Sequence, residues 1–190
     1  YEISECLVGS EMCIRDRLEG EQSIYGKGMW AASLRYHKDT FYVCFASYDT
    51  GKTYIYRTKN INEPWEKRSL DGVYHHPSLL FDEDGRIYMG YGFNEVRILE
   101  LNDTLTAPKE GGFERLLVEE KQDAYISYEG AHFYKKDGTY YIFVIQWLKG
   151  NLTQREQLCL YGDSLDGEFK KEMVFSENLG FPMKGVAQGG

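Results

Sequence analysis

Glu129 is the residue of this chain best placed to move a proton. It stands between Tyr128 and Gly130, ahead of an aromatic and β-branched run, where a loop carboxylate can face a cleft instead of a core. His75 and His76 precede a second such run and Trp30 opens a third, while Phe93 and Trp147 fall where the returning halves of two runs end. Aromatic rings stack on the C–H faces of sugars, and a protonated carboxyl can hand its proton to a glycosidic oxygen. The set therefore points to carbohydrate chemistry. Two histidines with no third donor in view do not make a zinc site, so no metal ligand is assigned. His132 reads as a structural hydrogen-bonding residue, and Trp30 and Trp147 suit a core between sheets as well as a binding surface.

These residues need hairpins to hold them. Residues 131–135 and 140–146 read as two strands joined by a turn at Asp137-Gly138. The same plan runs from Trp30 to Ser47 and from His75 to Gly92. Taking Ala32, Pro77 and Ala131 as equivalent, the openings recur about 45 and then about 54 residues apart. Each hairpin continues into a second pair of strands: 52–58 with 65–70, 95–101 with 113–119, and 157–161 with 168–175. Four short antiparallel strands at this period are the mark of a β-propeller blade. In a propeller the loops entering each first strand converge on one funnel, which gathers Glu129, the two histidines and the rings. Asp82-Glu83-Asp84-Gly85 lacks the length and final Glu of a calcium loop and reads as a hairpin turn. Asn151-Leu152-Thr153 matches a glycosylation acceptor only formally.

Composition agrees with an all-β chain and excludes other classes. The 190 residues include 16 Tyr, 10 Phe and 3 Trp, types that favour strands. A formal net charge of −8 with no basic stripe argues against nucleic acid as a partner. No apolar run is long enough for a helical membrane span. The four cysteines, Cys6, Cys13, Cys44 and Cys159, have neither metal nor disulfide spacing and read as free thiols, which favours a bacterial cytoplasm. Residues 1–20 share no pattern with the rest. They resemble translated adapter sequence and are set apart as an artefactual or disordered segment, leaving 21–190 as the propeller domain. Gly185-Val-Ala-Gln-Gly-Gly190 reads as the first strand of another blade. About three blades and a stub would expose sheet edges, so this piece alone is expected to be poorly soluble.

The blade openings Trp30-Ala-Ala-Ser-Leu-Arg-Tyr36, Tyr74-His-His-Pro-Ser-Leu-Leu-Phe-Asp-Glu-Asp-Gly-Arg86, Tyr128-Glu-Gly-Ala-His-Phe-Tyr-Lys135 and Gly185-Val-Ala-Gln-Gly-Gly190 resemble, in order, those of glycoside hydrolase family 43. They are most similar to its β-xylosidase and α-L-arabinofuranosidase branch. The resemblance implies a five-bladed propeller and an inverting mechanism, with a xylo- or arabino-oligosaccharide as partner. It implies no required cofactor, and a structural calcium ion on the propeller axis of the full-length protein. Glu129 falls on the general acid, with Ala131 in place of the family's Pro. The general base belongs to a blade outside these residues. His76 occupies the position of an Asp that raises the pKa of the acid, and an imidazolium there would lower it and leave Glu129 ionised. Trp30, His75, Phe93 and Trp147 are the substrate-binding candidates. A non-catalytic sugar-binding propeller is the alternative, with His76 marking loss of the acid–base machinery.

Overall fold

The computed structural model describes residues 27, 29–119, 124–148 and 155–176, without the side chains of Trp30 and Tyr125. Residues 1–20, Asn151 and the stretch from Gly185 lie outside them. The described residues form β-strands without a helix, in three antiparallel four-stranded sheets whose strands pair in chain order. The first sheet holds β1 (Met29–His37), β2 (Thr40–Ser47), β3 (Lys52–Thr58) and β4 (Glu66–Asp71). The second holds β5 (Ser78–Phe81), β6 (Ile87–Tyr91), β7 (Glu95–Leu101) and β8 (Glu114–Glu119). The third holds β9 (Ala124–Lys136), β10 (Thr139–Leu148), β11 (Arg155–Gly162) and β12 (Lys170–Phe175). Each sheet is one blade.

The middle strands of a blade are covered on both faces, so they read as nearly continuous apolar runs instead of alternating ones. Leu79, Met89, Leu99 and Leu101 of the second blade pack on Tyr42, Cys44, Ile55 and Leu70 of the first. The second blade's other face presents Leu80, Tyr88, Val96 and Ile98 to Phe133, Ile142, Val144 and Leu160 of the third. Burying each large apolar side chain contributes on the order of 1.5–3 kcal/mol, so these two layers hold the blades together. The fourth strands are polar at the rim: β4 reads Glu-Lys-Arg-Ser-Leu-Asp and β12 begins Lys-Lys-Glu. Charged outer strands discourage edge-to-edge pairing.

The first strands β1, β5 and β9 lie side by side and are tied by one guanidinium. Arg35 of β1 donates through Nε to the Leu79 carbonyl at 2.9 Å, and through Nη2 to Ser78 Oγ at 2.6 Å and the Phe133 carbonyl at 3.1 Å. Ser78 Oγ in turn accepts the Phe133 N–H at 2.9 Å, and Ser33 Oγ donates to the Pro77 carbonyl at 2.8 Å. Arg35 also lies 4.4 Å from the centre of the Tyr134 ring. Burial lowers its pKa, and Tyr134 works against that shift. Replacing it by Met keeps the aliphatic stem and removes the bonds to two other blades. Arg35→Met is therefore expected to lower unfolding free energy by about 2–3 kcal/mol. Urea titration reads this as a lower midpoint, and an unchanged midpoint would remove Arg35 from the account.

The Asp82 turn is also structural. The Asp82 carboxylate, buried, accepts from Lys135 Nζ at 2.5 Å and from the Tyr140 hydroxyl at 2.5 Å, joining the second blade to the third. Burial pushes its pKa up, but the bonds from Lys135, Tyr140 and the Glu83 amide outweigh this and hold the carboxyl below its ordinary value.

One local expectation is corrected. Glu129 does not sit in a loop ahead of its strand, because β9 begins at Ala124 and pairs with β10 along its whole length, with Glu129 opposite Ile145. The strand signal ahead of residue 131 was masked by register shifts, which fall between Phe143 and Ile145, between Ile145 and Trp147, and between Trp147 and Leu148. Each such irregularity breaks the two-residue alternation on which strand reading depends.

Candidate active site

The blade mouths share a backbone device. The residue before each of Ala32, Pro77 and Ala131 has a left-handed backbone: Ala31 at φ 22°, His76 at φ 49° and Gly130 at φ 69°. In β1 the register shifts between Trp30 and Ser33, as it does in β9 around Gly130. A kink of this kind re-aims the side chains beside it. Glycine takes a left-handed backbone without strain at 130, and His is among the residue types enriched there, which suits position 76.

The kinks bring His75, His76 and Glu129 together. His76 Nε2 lies 3.8 Å from Glu129 Oε2, with side chains 10% and 15% exposed. The rings of His75 and His76 meet edge to face with centroids 4.0 Å apart. The Tyr48 hydroxyl is 2.7 Å from His75 Nδ1 and fixes that ring. Phe93, 46% exposed, packs edge-on against the other side of His75 at 5.1 Å. Trp147, in β10, is half-buried, with the Arg155 guanidinium 4.9 Å from its ring centre. Trp30 lies in β1 ahead of the kink, and its side chain is outside the description.

The electrostatics revise the expected role of His76. Burial, with His75 and His132 adding to it, pushes the His76 pKa down to about 4. The ring is therefore neutral at neutral pH and supplies no positive charge to depress Glu129. Burial raises the Glu129 pKa, with Arg155 pulling the other way. The carboxyl is thus pushed toward its protonated form by desolvation, where an imidazolium at His76 was expected to leave it ionised.

Residues outside the sequence reading of the site also position it. Asn94, left-handed at φ 61°, donates its N–H to the Tyr128 carbonyl at 2.9 Å and accepts the Ser127 N–H on Oδ1 at 2.9 Å. It clamps β9 immediately ahead of Glu129. Gly92, at φ 151°, donates its N–H to the His75 carbonyl at 2.9 Å, and a Cβ there would meet the Glu95 carbonyl oxygen at 1.9 Å. Only glycine fits that approach. Tyr48 carried no motif of its own. Asn94 was legible only as a turn-favouring residue two positions after Gly92. Arg155 had no signal.

An axial calcium ion would need six to eight oxygen ligands. Among the described residues, the first strands instead bring the Arg35 guanidinium to their meeting place, and the grouped donors at the mouth are two imidazoles and one carboxylate. These described residues do not fit calcium.

Stacked antiparallel blades with a partly buried carboxylate among imidazoles and rings at their mouths define a propeller of the glycosidase kind. The chain belongs to the glycosyl hydrolases family 43, whose family model matches residues 10–171. It is similar to a β-xylosidase of Formosa agariphila, 26% identical over 196 residues that cover 92% of this chain and 32% of that protein. A xylosidase/arabinosidase of Butyrivibrio fibrisolvens is 30% identical over 133 residues, 61% of this chain and 25% of that one. Among solved structures, a bifunctional GH43-CE protein of Bacteroides eggerthii matches with TM-score 0.73 at 37% identity, covering 80% of this chain and 20% of that chain. The xylan β-1,4-xylosidase of Bacillus halodurans C-125 matches with TM-score 0.63 at 24% identity, over 83% of this chain and 32% of that one. The fold is the five-bladed β-propeller, of which three blades are described here. The chain spans about a third of the length of the first of these curated relatives.

Proposed function

We infer that this chain carries the acid half of an inverting glycosidase that cleaves terminal xylosyl or arabinosyl linkages in hemicellulose-derived oligosaccharides. The carrying observation is Glu129, desolvated at a blade mouth with its pKa raised, at the position of the family's general acid. Glu129 would protonate the leaving oxygen. His75, held by Tyr48, would bond a sugar hydroxyl, and Trp30, Phe93 and Trp147 would offer rings to sugar faces. The base would come from a blade outside these 190 residues, roughly 6.5–9.5 Å from the acid so that a water fits beneath the sugar. The 190-residue chain alone is then inactive. The relatives' names as β-xylosidase and xylosidase/arabinosidase support the substrate class.

The second reading, a sugar-binding propeller without turnover, is favoured by one observation: a neutral His76 in place of the family's Asp. Expression of the complete reading frame with aryl β-xyloside and aryl α-L-arabinofuranoside separates the two. Hydrolysis with the product anomer inverted, followed by NMR, supports the enzyme. Saturable binding of xylo-oligosaccharide with no release over days supports the binder.

A further inference from the structure

We propose that His75, His76 and Glu129 form a binding site for a zinc-type divalent cation at the blade mouth. One donor atom from each of the three residues lies within 4.8 Å of the other two. Adjacent residues of a regular strand point to opposite faces. His75 and His76 stand ahead of β5, outside any strand, and with the left-handed backbone at His76 their ring centroids lie 4.0 Å apart. Glu129 then arrives from the neighbouring blade, its Oε2 3.8 Å from His76 Nε2.

Donors about 2.1 Å from a tetrahedral zinc ion stand roughly 3.4 Å apart. The His76–Glu129 pair, at 3.8 Å, is near that spacing already, and no pair of the three is wider than 4.8 Å. Two nitrogens and one carboxylate oxygen suit zinc, cobalt or nickel and do not suit calcium or magnesium. The Tyr48 hydroxyl on His75 Nδ1 leaves Nε2 as the coordinating atom and fixes the ring, as outer partners of metal-bound histidines do. A bound cation holds Glu129 as carboxylate, so metal and the acid's proton compete for one group.

The proposal does not depend on the hydrolase reading, because its test measures binding without turnover. The 190-residue chain, kept in solution as a fusion to a carrier free of polyhistidine, carries Cys6→Ser and Cys13→Ser so that those thiols bind no metal. Cobalt(II) is titrated in, its visible d–d bands are followed, and zinc is then used to displace it. The expected result is one site per chain with nitrogen and oxygen ligation. His76→Asn, which tolerates the left-handed backbone, and the near-isosteric Glu129→Gln should each weaken binding by at least about tenfold, and Tyr48→Phe by a smaller factor. Binding unchanged in both His76→Asn and Glu129→Gln, or no saturable cobalt spectrum at all, overturns the site. Retention of the near-ultraviolet circular dichroism signal in Glu129→Gln separates loss of a ligand from loss of the fold.

Discussion

Glu129→Gln in the complete protein is expected to reduce kcat/KM on unactivated xylo- or arabino-oligosaccharides by roughly 10²- to 10⁴-fold, the range for removing a general acid. The amide keeps the size and most of the hydrogen bonding of the carboxyl, so the loss is chemical. Substrates with good leaving groups, such as dinitrophenyl glycosides, depart without a proton and should lose far less. The alkaline limb of the pH–rate profile should flatten with them, since that limb reports the acid's ionisation. Because burial raises the Glu129 pKa, the parent's limb should lie above the ordinary carboxyl range. Equal losses on both substrate kinds would show that Glu129 holds substrate without donating a proton. Sugar affinity unchanged by the substitution, in a protein with no turnover to lose, is the outcome for the binding propeller.

Acid should loosen the fold through His76. Its pKa falls from 6.5 to about 4 on folding. Between those values the unfolded chain binds a proton that the folded one does not, so stability rises with pH across this window and falls as pH drops. From His76 alone the loss is about 2 kcal/mol by pH 5, and about 3 kcal/mol once pH is below 4. His75, His132 and His37 are shifted down as well, each chiefly by burial, and add in the same direction. Glu129 works against them, because its raised pKa favours the folded form as it takes up a proton. Urea titrations at pH 7 and pH 5, on parent and His76→Asn, isolate the contribution. The variant's midpoint should depend less on pH, and identical dependence in the two proteins would locate the acid sensitivity elsewhere.

The blade architecture was legible because strand types and turn residues recur at fixed distances. The predicted strands 52–58 and 95–101 match β3 and β7, whose Ile55, Val96, Ile98, Leu99 and Leu101 pack between neighbouring blades. Turn chemistry at Asp137-Gly138 was equally plain, with both residues at positive φ. Bounds were lost where the pleat is broken. β9 was read from residue 131 and begins at Ala124, since left-handed Gly130 and the successive register shifts erase the alternation. For the site, Glu129 and the two histidines were visible as residue types at blade openings. Their meeting was not, because it depends on which way each kink throws a side chain. The charge state of His76 depends on burial, which a sequence shows only indirectly. Arg155, next to Trp147 and in electrostatic contact with Glu129, arrives through strand pairing alone.

The left-handed kink repeated at Ala31, His76 and Gly130 separates two things that proteins often entangle. The sheets are fixed by layers of Leu, Ile and Tyr that lie away from the mouth, while the mouth is a row of interchangeable sockets held at constant backbone geometry. A substitution in a socket changes what the molecule can do without asking the blades to refold. Such a chassis lets residues at the mouth be replaced one at a time, with the scaffold as a spectator.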